Sequence, residues 1–182
     1  TIASKNKEVP KIFSKMFHNK FFRVYASEDI IGCQLGGAMK NILSVAVGIS
    51  DGLGLGSNAK AALISRGIVE MRIIGEILNC DTDTIYGLSG LGDLVLTAND
   101  NLSRNRRLGI EIAQGSSIKD AEKKIGQVVE GIFASQGLDI LIKKYALNLP
   151  ISSKVFDIIN EKVNPKDAVN DLLLREKKSE FV

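Results

Sequence analysis

The sequence predicts a mainly α domain, running from Glu28 to Val182, behind a short α/β segment over residues 1–27. Three observations carry that reading. The run IIGCQLGGAMKNILSVAVGIS (Ile30–Ser50) is apolar and long, with Lys40 its only charged side chain. The next segment, SNAKAALISRGIVEMRIIGEILN, places Leu63, Ile64, Ile68, Met71, Ile74, Ile77 and Leu78 at helical spacing with polar residues between them. Strand-like content, by contrast, is confined to the first residues and to FFRVYAS (Phe21–Ser27).

In chain order, Thr1–Ala3 reads as the end of a strand. Asn6–Phe17 reads as a helix that tolerates Pro10 only in its first turn. FFRVYAS is aromatic and β-branched, as strands are. Strand–helix–strand over so short a span resembles the tail of an α/β domain whose bulk lies outside these residues. Because the chain opens TIASKNKEV without methionine, a trimmed end or a piece of a longer protein is expected. From Asp29 onward almost everything reads helical. The apolar run ends near Asp51–Gly56, where DGLGLG breaks it, and the following helix takes Ser57 or Asn58 as its N-cap. A short helix starts at Asp81, and then the glycine-rich GLSGLGDLVLT intervenes. SRNRRLGIEIAQG has Ser103 as N-cap and Gly115 beyond its end. IKDAEKKIG, FASQGLDILIKKYAL and SSKVFDIINEKV are further helices, the last entered through Pro150. NPKDAVNDLLLREKK closes the chain, with Asn164 as cap and Pro165 at the first helical position.

Composition narrows the function classes. With 182 residues, 45% hydrophobic and 25% charged, the chain is expected to be globular and soluble, large enough for one domain or one domain plus a piece of another. Its 24 Lys+Arg against 21 Asp+Glu give only +3, which suits neither a polyanion binder nor an acidic solvating tail. Cys33 and Cys80 form no CxxC pair and no metal-ligand spacing, so reduced core thiols are expected and no metal site is. Nothing resembles a signal peptide. Ile30–Ser50 approaches membrane-span length, but Gln34, Lys40 and Asn41 near its centre make insertion costly. A buried helix of a cytoplasmic protein is expected instead.

Four stretches could carry chemistry. On a helix, Gly36 and Gly37 lie one turn before Lys40, where missing side chains let a backbone or ligand approach. A lysine there can exchange a proton with a substrate oxygen or hold an anion, although a snorkelling lysine fits the same composition. GLGLG and GLSGLGDL follow no strand of a βαβ unit and lack the G-x-G-x-x-G spacing, so neither is a dinucleotide fingerprint. The second carries Asp93, with Thr97 following; this carboxylate could pair with a lysine, accept from a substrate hydroxyl, or cap a helix. In NDNLSRNRRLG, Arg104, Arg106 and Arg107 crowd a helix start, where the macrodipole disfavours cations and a bound anion would remove that penalty. A solvated basic face is the plainer reading. Nucleic acid is disfavoured, because no aromatic in the cluster could stack on a base. QVVEG and the single histidine, His18, say little by themselves; with no histidine in the helical part, acid/base work there falls to a lysine or a carboxylate.

Taken in order, IGCQLGGAMKN, SDGLGLGSNAKAALISRG, GLSGLGDLVLT, SRNRRLG and IGQVVEG resemble the C-terminal substrate domain of bacterial NAD(P)-dependent glycerol-3-phosphate dehydrogenases. The match is specific from about Phe21 to the QVVEG turn and looser beyond it. Residues 1–27 look like the last helix and strand of that family's nucleotide-binding domain. The resemblance implies a multi-helical domain, like the C-terminal domain of 6-phosphogluconate dehydrogenase, that closes over a Rossmann domain. It implies interconversion of dihydroxyacetone phosphate and sn-glycerol 3-phosphate for glycerophospholipid synthesis. It makes Lys40 the catalytic acid/base. Asn41, Asp93 and Thr97 would orient the lysine and the substrate oxygens. Ser103, Arg104 and Asn105 would grip the substrate, with Arg104, Val128 and Glu130 meeting the NAD or NADP cofactor. Most of that cofactor would be held by the N-terminal domain, so these 182 residues alone are expected to be inactive. The family also allows a homodimer. Two rivals stay open: another hydroxyacid or 6-phosphogluconate-type dehydrogenase, and a non-enzymatic helical module binding an anion or acidic partner.

Overall fold

A computed structural model of the protein describes residues 1–176. One helix organises the fold. Helix α2 (Ile30–Gly52) runs through the centre, and every residue from 41 to 50 is buried. Burial on all sides over 41–50 explains the apolar sequence there, since no face of that stretch needs to meet water. By length and composition α2 would also suit a membrane, but 61% of its apolar window is buried within the protein, as in a core helix. Met39, Ile42, Leu43, Val45 and Val47 are its fully enclosed side chains.

Around α2 lie α3 (Gly56–Ile77), α4 (Thr82–Tyr86), a π-helical turn (Leu88–Gly92), α5 (Asp93–Asn99), α6 (Arg104–Ala113), α7 (Ile118–Ile125), α8 (Glu130–Tyr145), α9 (Pro150–Ile159) and α10 (Pro165–Leu173). Ahead of it, β1 (Ile2–Ala3), α1 (Glu8–Phe17) and β2 (Ala26–Ser27) form a parallel strand–helix–strand unit with Ile2 opposite Ala26. The mainly α fold with a small α/β unit in front is thus as the sequence predicts.

The local signals worked where a side chain caps a helix. Ser103 and Asn164, read as caps, and Asp81, read as a helix start, each accept a backbone N–H of their own first turn, and Pro150 and Pro165 open α9 and α10; Ser117, not named from sequence, caps α7 in the same way. Four readings need correction. Phe21–Tyr25 does not extend the strand: the amides of Phe21 and Phe22 bond the Asn19 side chain, and pairing is limited to Ala26–Ser27 because β1 offers only two residues. Neither Ser57 nor Asn58 caps α3, which begins at Gly56 behind Leu55; the left-handed turn at Gly54 and the Leu55 N–H bond to Ser50 O launch it early. GLSGLGDLVLT is broken only at Gly87, an extended bend, and is helical from Leu88 on, a π turn running straight into α5. Cys33 and Cys80 are free but half-buried rather than core residues, and burial, then the nearby Asp29 and Cys33, push the Cys80 thiol up. The end of the REKK stretch lies outside the described residues.

Helix α9 has an unusual cap. Leu149 supplies no side-chain bond, and the free amides of the first turn are taken by Glu70 of α3. Glu70 Oε1 accepts from Ile151 N at 2.6 Å, while Oε2 accepts from Ser152 N at 3.0 Å and from Ser152 Oγ at 2.6 Å. Burial pushes the Glu70 carboxyl up, opposed by the Ser152 hydroxyl, the two amides and Arg175. Replacing Glu70 with glutamine turns an amide NH2 toward N–H donors. It should destabilise the protein by about 1–3 kcal/mol, seen as a lower Tm by circular dichroism. An unchanged Tm would mean that α9 does not depend on this cap.

Candidate functional site

Lys40 is brought to its partner by a glycine contact. A Cβ at Gly36 would stand 2.2 Å from Ser89 O, so the backbone of the π turn lies directly on α2 there. Side chains on a helix lean toward its N-terminus. Lys40 therefore leans back toward the π turn, and its Nζ donates to Asp93 Oδ2 at 2.6 Å, at the start of α5. The pair is partly shielded, with side chains 22% and 34% exposed. Thr97 Oγ1 donates to the Asp93 carbonyl at 2.7 Å and lies 3.4 Å from Asp93 Oδ1. π turns of this kind are frequent at functional sites, because the widened turn re-aims the residues that follow. The start of α2 is pinned in turn by Asp29. Burial alone would raise its carboxyl, but the Gly32 and Asp81 amides and the Thr84 hydroxyl hold it below its ordinary value.

A second glycine contact brings α6 to the site. Cβ atoms at Gly48 and Gly109 would fall 2.0 Å from Arg106 O and 2.2 Å from Val45 O, so α2 and α6 cross backbone to backbone. That crossing sets Asn105 against Asn41. Asn105 Nδ2 donates to Asn41 Oδ1 at 2.8 Å, and Asn41 Nδ2 donates to Glu130 Oε2 at 3.0 Å. Asn105 Oδ1 accepts from Gly131 N at 2.8 Å. Both asparagines are buried, so the chain of bonds ties α2, α6 and the start of α8 into one unit. Arg104 Nη1 donates to Val128 O at 3.0 Å, holding the loop before α8, where the Val128 side chain and Glu130 are exposed.

Of the nine residues the resemblance assigns, Lys40, Asp93 and Thr97 are brought together in one bonded group, Asn41, Asn105 and Glu130 in a second that adjoins Lys40 along α2, and Arg104 meets Val128, while Ser103 contacts its own helix start. Their surroundings refine several of them. Ser103 Oγ accepts from Arg106 N at 3.3 Å as the α6 cap. Asn41 and Asn105 spend most of their amide groups on each other and on α8. Arg106 is not available to an anion. It donates to Asp51 Oδ2 through Nε at 2.7 Å and Nη2 at 2.6 Å, and Asp51 also holds Lys60 at 2.9 Å. An internal carboxylate thus removes the penalty of a cation at a helix start. Sequence reasoning missed Asp51, reading SDGLG only as a turn; its one signal was an acid closing an apolar helix. Gly131 was missed too. A Cβ there would meet Asn105 Oδ1 at 2.9 Å.

Chemically, Lys40 carries three N–H groups, one of them committed to Asp93, leaving donors for a substrate oxygen. Among the described residues there is no group of His, Cys, Asp and Glu able to hold a metal.

The family described as NAD-dependent glycerol-3-phosphate dehydrogenase C-terminus matches residues 29–170. The glycerol-3-phosphate dehydrogenase [NAD(P)+] of Bartonella tribocorum is 46% identical over 182 residues, which are 100% of this chain and 54% of that protein. Its counterpart from Shewanella pealeana is 44% identical over 99% of this chain and 53% of its own length. The crystal structure of glycerol-3-phosphate dehydrogenase from Coxiella burnetii superposes with a TM-score of 0.92 at 45% identity, covering 95% of this chain and 53% of that one. The chain spans about half the length of the curated relatives it matches.

Proposed function

The chain belongs to the NAD-dependent glycerol-3-phosphate dehydrogenase C-terminal family, and from that premise we propose that it is the substrate domain of an enzyme interconverting dihydroxyacetone phosphate and sn-glycerol 3-phosphate. The observation that carries the proposal is the 2.6 Å Lys40–Asp93 pair at the junction of α2, the π turn and α5. Asp93 pairs with the Lys40 ammonium and fixes its direction. In reduction, Lys40 donates a proton to the carbonyl oxygen as it becomes an alkoxide; in oxidation it accepts the hydroxyl proton. Thr97 steadies Asp93. Arg104, beside the amides that open α6, is suited to the phosphate end of the substrate. Asn41 and Asn105 act from behind, holding Lys40 and Arg104 at a fixed separation.

NAD(P)H supplies the hydride when bound. The residues present fit a share of that binding only: Arg104, exposed Val128 and exposed Glu130 form an edge a dinucleotide could touch, while no G-x-G-x-x-G turn follows a strand. Residues 1–27 are read as the end of the nucleotide-binding domain and 28–182 as the substrate domain. Phe21, 87% exposed, and Phe22, 58% exposed, support this, as does a sheet of two short strands that is too small to stand alone. A cytoplasmic role in glycerophospholipid synthesis fits the same reading. In the full-length protein, NADH- or NADPH-dependent reduction of dihydroxyacetone phosphate should exceed that of 2-keto acids by at least about a hundredfold in kcat/KM, by analogy with sites built to hydrogen-bond their substrate. Preference for a 2-keto acid, or for oxidising 6-phosphogluconate, would overturn the proposal.

A further inference from the structure

Most glycines inside the helices have a visible reason to be glycine. Cβ atoms at Gly36, Gly48 and Gly109 would fall 2.0–2.2 Å from backbone oxygens, and one at Gly67 would stand 2.8 Å from Leu43 Cδ1. Gly37 has no such reason. A Cβ there would meet nothing within 4 Å, and its backbone is ordinary helix in the middle of α2. Glycine weakens a helix interior relative to alanine, so this position sacrifices stability without a packing return.

Its neighbours suggest what the space is for. On a helix, residues three and four apart share a face, so Gly37 adjoins both Lys40 and Asn41. The Lys40 stem leans back over the turn that contains Gly37 before Nζ reaches Asp93. A substrate oxygen that approaches Nζ from the Gly37 side brings its carbon skeleton beside that turn. We propose that Gly37 is a specificity-determining residue, whose missing side chain leaves room for the carbon skeleton of the carbonyl substrate next to Lys40. The inference rests on the function proposed above. It assigns the two adjacent glycines different jobs: Gly36 seats the π turn, and Gly37 seats the substrate.

The test is Gly37→Ala in the full-length protein, read against Gly137→Ala, an exposed mid-α8 glycine whose added Cβ would also meet nothing within 4 Å. Gly37→Ala should lower kcat/KM for dihydroxyacetone phosphate about tenfold or more, mainly through KM, with the dinucleotide KM changed less than about twofold. Its Tm should not fall, and a rise of about 2 °C is expected from the gain in helix propensity. Gly137→Ala should share that effect on Tm and keep kcat/KM. Unchanged kcat/KM for Gly37→Ala overturns the inference, as does a lowered Tm, which would mean a packing role. A loss carried by the dinucleotide KM would give the space to the cofactor and also overturn it. The wild type tests the function separately. If it reduces a different carbonyl compound, the same ratios are read with that compound, and the Gly37 assignment stands or falls on them.

Discussion

Replacing Lys40 with methionine in the full-length enzyme should lower kcat by about 10²–10⁴-fold while leaving the fold intact. Methionine keeps an unbranched stem and removes the ammonium group proposed to donate the proton. Structural damage should be small, because the Lys40 and Asp93 side chains are 22% and 34% exposed and water can replace their hydrogen bond. Steady-state kinetics with dihydroxyacetone phosphate, alongside circular dichroism, checks both halves of the expectation. Near-normal turnover would remove Lys40 from the reaction. A kcat preserved at a raised KM would make it a binding group rather than the acid/base.

The second large effect is expected at the α2–α6 crossing. In Gly109→Ala the new methyl would lie 2.2 Å from Val45 O, 2.7 Å from Ile49 N and 2.9 Å from the Gly48 carbonyl carbon, all backbone atoms of the buried stretch of α2. The helices must separate, and the gain of about 1 kcal/mol in helix propensity does not offset this. Destabilisation of about 3 kcal/mol, or roughly 6–12 °C in Tm, is expected. Because α6 carries Arg104 and Asn105, a shift of about 1 Å should also lower kcat/KM about a hundredfold. An unchanged Tm by thermal denaturation would show that the crossing can relax and would remove the argument that it sets the site.

Much of this was legible in the amino-acid order, and the reason is distance along the chain. The helix starts at Asp81, Ser103 and Asn164 and the prolines opening α9 and α10 act within one turn, so a short window contains both partners. Lys40 stood out because it was the only charge in a long apolar run. The errors share the opposite cause. FFRVY has strand content, but a strand needs a neighbour, and β1 is two residues long. Arg106 looked available to an anion because the carboxylate that pairs with it lies 55 residues upstream, in the last turn of α2.

The sequence by itself determined the helical class and most helix boundaries, which follow from periodicity and caps, and it made Lys40, Asp93 and the arginines candidates by residue type, the other site residues being what the family resemblance implies. Only the tertiary structure decided what those side chains face. Lys40 meets Asp93 across 53 residues, and Asn105 meets Asn41 across 64, through helix crossings that residue type alone does not specify. GGAMKN shows the division most directly. Gly36 and Gly37 are indistinguishable in a string of letters, yet the rotation of α2 turns the first onto the backbone of the π turn and the second into open space beside Lys40.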